Sequence, residues 1–121
     1  MRLLSDVQMY LEQSRRYMFM GAVFLEQGMY KECVTVTGMA AQAKLRALYI
    51  QVNGAYPPLP PSNELLLRNL QSHGKLDWDT EMFLNELFFV SAHYDGFFHK
   101  PPAEENVRRL MFKTEHMLRR L

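Results

Sequence analysis

Apolar side chains recur at positions 7, 11, 18, 22 and 25 with polar residues between them, the spacing of one face of an α-helix. Ser5-Asp6-Val7-Gln8 has the form of a capping box, with Ser5 as N-cap and Gln8 reaching back. The pattern predicts a first helix over about 6–27, ended at Gln27-Gly28. A second helix is predicted over about 30–52, closed by Asn53-Gly54 as a C-terminal stop. Val34, Val36 and the threonines beside them are mediocre helix formers, so a weak point is expected near Thr35–Gly38. The continuation Gly38-Met39-Ala40-Ala41-Gln42-Ala43-Lys44-Leu45-Arg46-Ala47-Leu48 favours helix, and its small residues let a neighbouring helix approach closely.

Pro57, Pro58, Pro60 and Pro61 force an extended connection, too short and too apolar (Tyr56, Leu59) for a domain linker and so expected to pack on the surface. Ser62 caps a third predicted helix over about 63–73, with Glu64 at its positive end and His73-Gly74 ending it. Asp77 caps a fourth over about 78–94, and Asp95 to Lys100 reads as a loop. Pro101-Pro102 open a last helix over about 103–120, with Glu104 and Glu105 at its start and Arg119 and Arg120 at its end, matching the helix dipole. No strand pattern competes. The expectation is an all-α antiparallel bundle of about five helices, led by two long ones, forming a single domain over 1–121.

Composition narrows the function only a little. A net charge of +1 over 121 residues gives no long-range pull toward nucleic acid or anionic membrane, so any basic site must be local. One cysteine, Cys33, excludes an internal disulfide framework and a four-cysteine zinc site, and reads as a small buried hydrophobe. Nine methionines fall mostly within or beside helical patterns, where they suit core gaps and adaptable partner grooves. Ser5 and Asp6 interrupt any signal-peptide pattern, and no apolar run is long enough to span a bilayer; a cytoplasmic protein is the expectation.

Ala40, Ala41, Leu45, Ala47 and Leu48 follow the run Gln-Gln-Ala-Ala-Glu-Lys-Ala-Leu-Lys-Ala-Leu of one helical family, with Gln42 where glutamate is usual and Arg46 where lysine is usual. Gly54 and the prolines then lead to Asn63-Glu64-Leu65, where that family has a start like His-Asp-Leu. Ala92-His93-Tyr94 stands at its Ala-Arg-Tyr position, followed by Pro101-Pro102 and Ala103-Glu104-Glu105. In the order and spacing of these pieces, over roughly 8–120, the chain resembles the HEPN family (higher eukaryotes and prokaryotes nucleotide-binding domains). The resemblance implies a helical bundle that forms homodimers, a polar cleft for a nucleotide or RNA, and a minimal nucleotidyltransferase as protein partner. It implies no cofactor. Other members of the family are metal-independent ribonucleases in which an arginine and a histidine a few residues later act on RNA.

The nucleotide-binding candidates that this resemblance marks are Arg46, His93, Tyr94 and His99. His93 and His99 bracket a Gly-containing loop with Phe97 and Phe98, on which a base can stack, although histidine in place of arginine gives up a permanent forked phosphate contact. Aromatic core packing with a loop histidine is the competing reading there, and a solvated helix surface is the competing reading for Arg46. Arg68 to His73 matches the ribonuclease spacing, yet five residues of regular helix turn through about 140°, so the two side chains diverge unless the helix breaks. A solvated Arg68 and a helix-terminal His73 is the reading preferred to a catalytic pair. Lys44 and Arg46 point about 200° apart and cannot share one site. His93, His99 and Asp95 have no recognised metal-ligand spacing, so no metal is expected. Gly21 and Gly28-Met29-Tyr30 also resemble the helix pair of a tetratricopeptide repeat, but no second copy follows at that repeat's period. Three functions stay open: a non-catalytic nucleotide-associated module with a partner protein, an endoribonuclease toxin, and a helical protein-interaction module.

Overall fold

A computed structural model describes residues 2–59, 62–97 and 104–121. Among them the chain forms helices α1 (Arg2–Glu26), α2 (Tyr30–Asn53), α3 (Asn63–Ser72), α4 (Trp78–Ala92), α5 (Tyr94–Phe97) and α6 (Glu104–Arg120), and no strand. The all-α bundle led by two long antiparallel helices stands. The start of α1 differs from the expectation: Ser5 is already helical, so Ser5–Gln8 lies within the first turns and caps nothing. The other difference is at the end of α4. His93 leaves helical geometry at φ −122° and ψ 32°, and the single turn α5 occupies part of the expected loop.

The end signals from Gly28 to Asp77 act as their chemistry requires. Gly28 turns the chain between α1 and α2 at φ 73°, and Gly54 caps α2 at φ 63° with its N–H donated to the Ile50 carbonyl. Ser62 Oγ accepts from the Leu65 N–H at 3.1 Å, and Asp77 Oδ1 accepts from the Thr80 N–H at 2.7 Å. Hydrogen bonding from Thr80, first from its side chain and then from this backbone N–H, holds the Asp77 carboxyl below its ordinary value. From the Pro-rich connection, Tyr56 donates its hydroxyl to Asp6 of α1, whereas Leu59 stays exposed.

α2 is the central helix, packing against α1, α3, α4 and α6. Its alanines make this possible: Ala40, Ala41, Ala43 and Ala47 are all buried, and at the α1 crossing Ser14 Oγ donates to the Ala40 carbonyl at 2.8 Å. The largest apolar cluster joins Leu45 and Leu48 of α2 to Leu66, Leu67 and Leu70 of α3, Phe83, Leu84 and Leu87 of α4, and Leu118 of α6. A second cluster joins Leu25, Cys33, Val34, Val107 and Met111. Cys33 is a buried hydrophobe there: burial pushes its thiol pKa up, and its Sγ lies 3.9 Å from Met111 Sδ. The expected weak point near Thr35–Gly38 is continuous helix. Thr37 Oγ1 donates to the Cys33 carbonyl at 2.7 Å, and Gly38 lies directly against Ser91 of α4. Gln42, standing where the HEPN run has glutamate, donates to Asn63 Oδ1 at 3.0 Å and so ties α2 to the start of α3. No helix among the described residues is long and apolar enough to cross a membrane.

Candidate functional site

A cleft of 510 Å³, within the range of small-ligand pockets, is walled by α1, α2 and α6. α1 contributes Leu11, Ser14, Arg15, Met18, Phe19 and Ala22, which share one helical face by their spacing of three and four. α6 contributes Met111, Glu115, Leu118 and Arg119, and α2 contributes Lys44. Apolar walls therefore surround three cationic groups and one carboxylate. Glu115 is already paired with Arg119 at 2.6 Å. None of the ion pairs among the described residues involves Arg15 or Lys44.

Lys44 emerges between the buried residues Ala43 and Leu45, so its stem starts within the helix packing. Loss of solvent, and secondarily the charge of Arg15, lowers its pKa below the ordinary lysine value. The charge of an anion in the cleft would offset both effects. The site can hold a phosphate or carboxylate against Arg15 and Lys44 and lay an apolar or aromatic ring along Met18 and Phe19. The exposed Phe19 ring is the natural stacking surface.

The described residues among those marked from the sequence do not converge. Arg46 lies over the Tyr10 ring at 5.9 Å, outside the cleft, with a buried Nε that has no hydrogen-bond partner among the described residues. His93 is exposed at the end of α4, its ring 4.8 Å from that of Phe89. Tyr94 begins α5, and partial desolvation is the largest cause raising its hydroxyl pKa, followed by the nearby charges of Glu32 and Asp95. Lys31 Nζ, donating to Asp95 Oδ2 at 2.6 Å, fixes this region at the start of α2. Arg46 lies fifteen residues further along the same helix, roughly 22 Å at 1.5 Å per residue, so Arg46 and the His93–Tyr94 pair serve different ends of the bundle. His99 and Phe98 lie outside the described residues, as does the side chain of Phe97.

Arg68 pairs with Glu64 one turn back at 2.7 Å, and Nδ1 of His73 donates to the Asn69 carbonyl at 2.8 Å. Each is exposed and engaged with its own helical turn, as the solvated reading of Arg68 and the helix-terminal reading of His73 require. Among the described residues no group of three or more histidine, cysteine, aspartate or glutamate side chains is placed to hold a metal ion.

In the sequence Lys44 stands out only as the residue that cannot share a site with Arg46, and Arg15 lies beside a second arginine, Arg16. The signal that separates Arg15 from Arg16 is its register with Leu11, Met18 and Ala22. A comparison of the chain with protein-family models, with curated proteins and with solved structures finds no match.

Proposed function

We propose that this chain is a non-catalytic, nucleotide-associated module of the HEPN type, which takes a nucleotide or an RNA end in the cleft between α1, α2 and α6 and acts beside a minimal nucleotidyltransferase. The observation that carries the reading is the pair of cations, Arg15 and Lys44, which take part in no ion pair among the described residues and lie against an apolar wall. A partly desolvated ammonium costs stability in the empty protein and recovers it when an anion arrives, which is the behaviour of a binding group. The ordered sequence features of the family and the two long antiparallel helices add support, and with them the expectation of a homodimer. The ribonuclease alternative gains nothing from Arg68 and His73, whose polar groups are turned to Glu64 and Asn69.

Thermal denaturation with a panel of nucleotides and short RNAs tests this. A ligand present at about 100 times its dissociation constant should add about 2.7 kcal/mol to stability. Lys44→Met should abolish that gain, and Arg15→Ala should reduce it. Arg46→Ala and His93→Ala, outside the cleft, should keep it. A gain unaffected by Lys44→Met would move the site elsewhere; no gain with any member of the panel would end the nucleotide reading.

The empty protein supplies an independent check. Because the folded-state pKa of Lys44 is depressed, the unfolded chain binds more protons in the interval between that pKa and the ordinary lysine value. The cost of Lys44 is therefore fully present at neutral pH and is released as pH rises through that interval. Without ligand, Lys44→Met should be more stable than wild type at neutral pH, with the advantage shrinking at alkaline pH. Denaturant titrations at several pH values read this directly.

A further inference from the structure

α4 is apolar on both of its sides, yet among the described residues only one is packed into the core. Phe83, Leu84 and Leu87 enter the core, while Trp78, Met82 and Phe89 are 70%, 53% and 55% exposed. A helix apolar all round is normally buried. The exposed residues Trp78, Met82, Asn85, Phe89 and Ala92 follow spacings of four, three, four and three, the seam of a coiled coil with one polar position, Asn85, to fix register. Asp79, Glu81 and Glu86 flank this seam, and none takes part in the ion pairs among the described residues. Such a seam repels a second copy of itself in parallel and attracts a helix of opposite charge.

We propose that the outer face of α4 is the docking surface for a partner protein's basic amphipathic helix, which lays an apolar stripe along Trp78, Met82 and Phe89 and sets lysine or arginine against Asp79, Glu81 and Glu86. This surface is separate from the cleft, to which α4 contributes no residue. It stands whether or not the cleft binds a nucleotide.

The chain's one tryptophan, Trp78, sits at the end of the seam and reports its occupancy. The probes are two synthetic helical peptides matched in length to α4, with leucine at the a and d positions and either lysine or glutamate at e and g. The lysine peptide should shift Trp78 emission to shorter wavelength, bind more weakly as salt rises, and be preferred over the glutamate peptide by about tenfold. The double variant Asp79→Lys/Glu86→Lys should reverse that preference. Met82→Asp, at an exposed position that leaves the core intact, should lose binding while keeping the wild-type circular dichroism. Equal response to both peptides, no spectral change, or an unaltered preference in the charge-reversed variant overturns the proposal. So does a blue shift that grows with protein concentration in the absence of peptide, because the seam is then covered by a second copy of the chain.

Discussion

Replacing Leu45 with alanine should cost about 3 kcal/mol, since a fully buried leucine is lost from a site that relaxes only partly. Leu45 lies where α2 meets the leucines of α3 and α4, and the surrounding helices cannot all move inward to fill the space. Domains of this size are stable by roughly 5–15 kcal/mol, so one such change removes a large share of the total. Urea titration should show a lower midpoint with an unchanged slope. Met39→Ala, six residues earlier on the same helix but partly exposed, should change stability by less than about 0.5 kcal/mol. Equal effects at the two positions would mean that α2 does not occupy the centre of the bundle.

The second large effect is expected at Gly38. A Cβ added there would stand 2.6 Å from Ser91 Oγ and 2.9 Å from Ser91 Cβ. The Oγ could rotate, although it donates to the Phe88 carbonyl at 3.1 Å; the Cβ is fixed to the α4 backbone and cannot. Gly38→Leu should therefore push α4 away from α2 and cost about 3 kcal/mol or more. Gly38→Ala separates two opposing terms. Alanine gains about 1 kcal/mol in helix propensity, while the clash costs about 1–3 kcal/mol. Adding Ser91→Gly to Gly38→Ala removes the clash, so the two substitutions should be non-additive in a double-mutant cycle. Strict additivity would mean that the two helices do not touch there.

The helices were legible because helix signals are local. Apolar spacing, the caps at Ser62 and Asp77 and the stop at Gly54 each act within a few residues, and the structure realises them. Ser5 misled because a capping box also fits the interior of a helix whose preceding residues, Arg2 to Leu4, are good helix formers. Gly38 looked like a weakness because its compensation, contact with Ser91, comes from fifty-three positions away. The cleft was hidden for the same reason. Arg15, Lys44 and Arg119 are far apart in the chain, and only the crossing of α1, α2 and α6 makes them neighbours. His93 and Tyr94 were marked by resemblance to a motif, and no local signal says which other helix end they will meet.

α6 has a temporal consequence. The pairing of α1 with α2 is a hairpin between neighbouring segments and can form early, as contacts close in sequence do. The clusters it helps to build are completed only by Val107, Met111 and Leu118, which emerge from the ribosome after the hairpin. The same helix supplies one wall of the cleft, with Met111, Glu115, Leu118 and Arg119. During synthesis the nascent hairpin therefore exposes both the apolar faces that α6 will cover and a half-built cleft. The cleft is therefore complete only once α6 has been made and docked, well after the hairpin that forms its other walls.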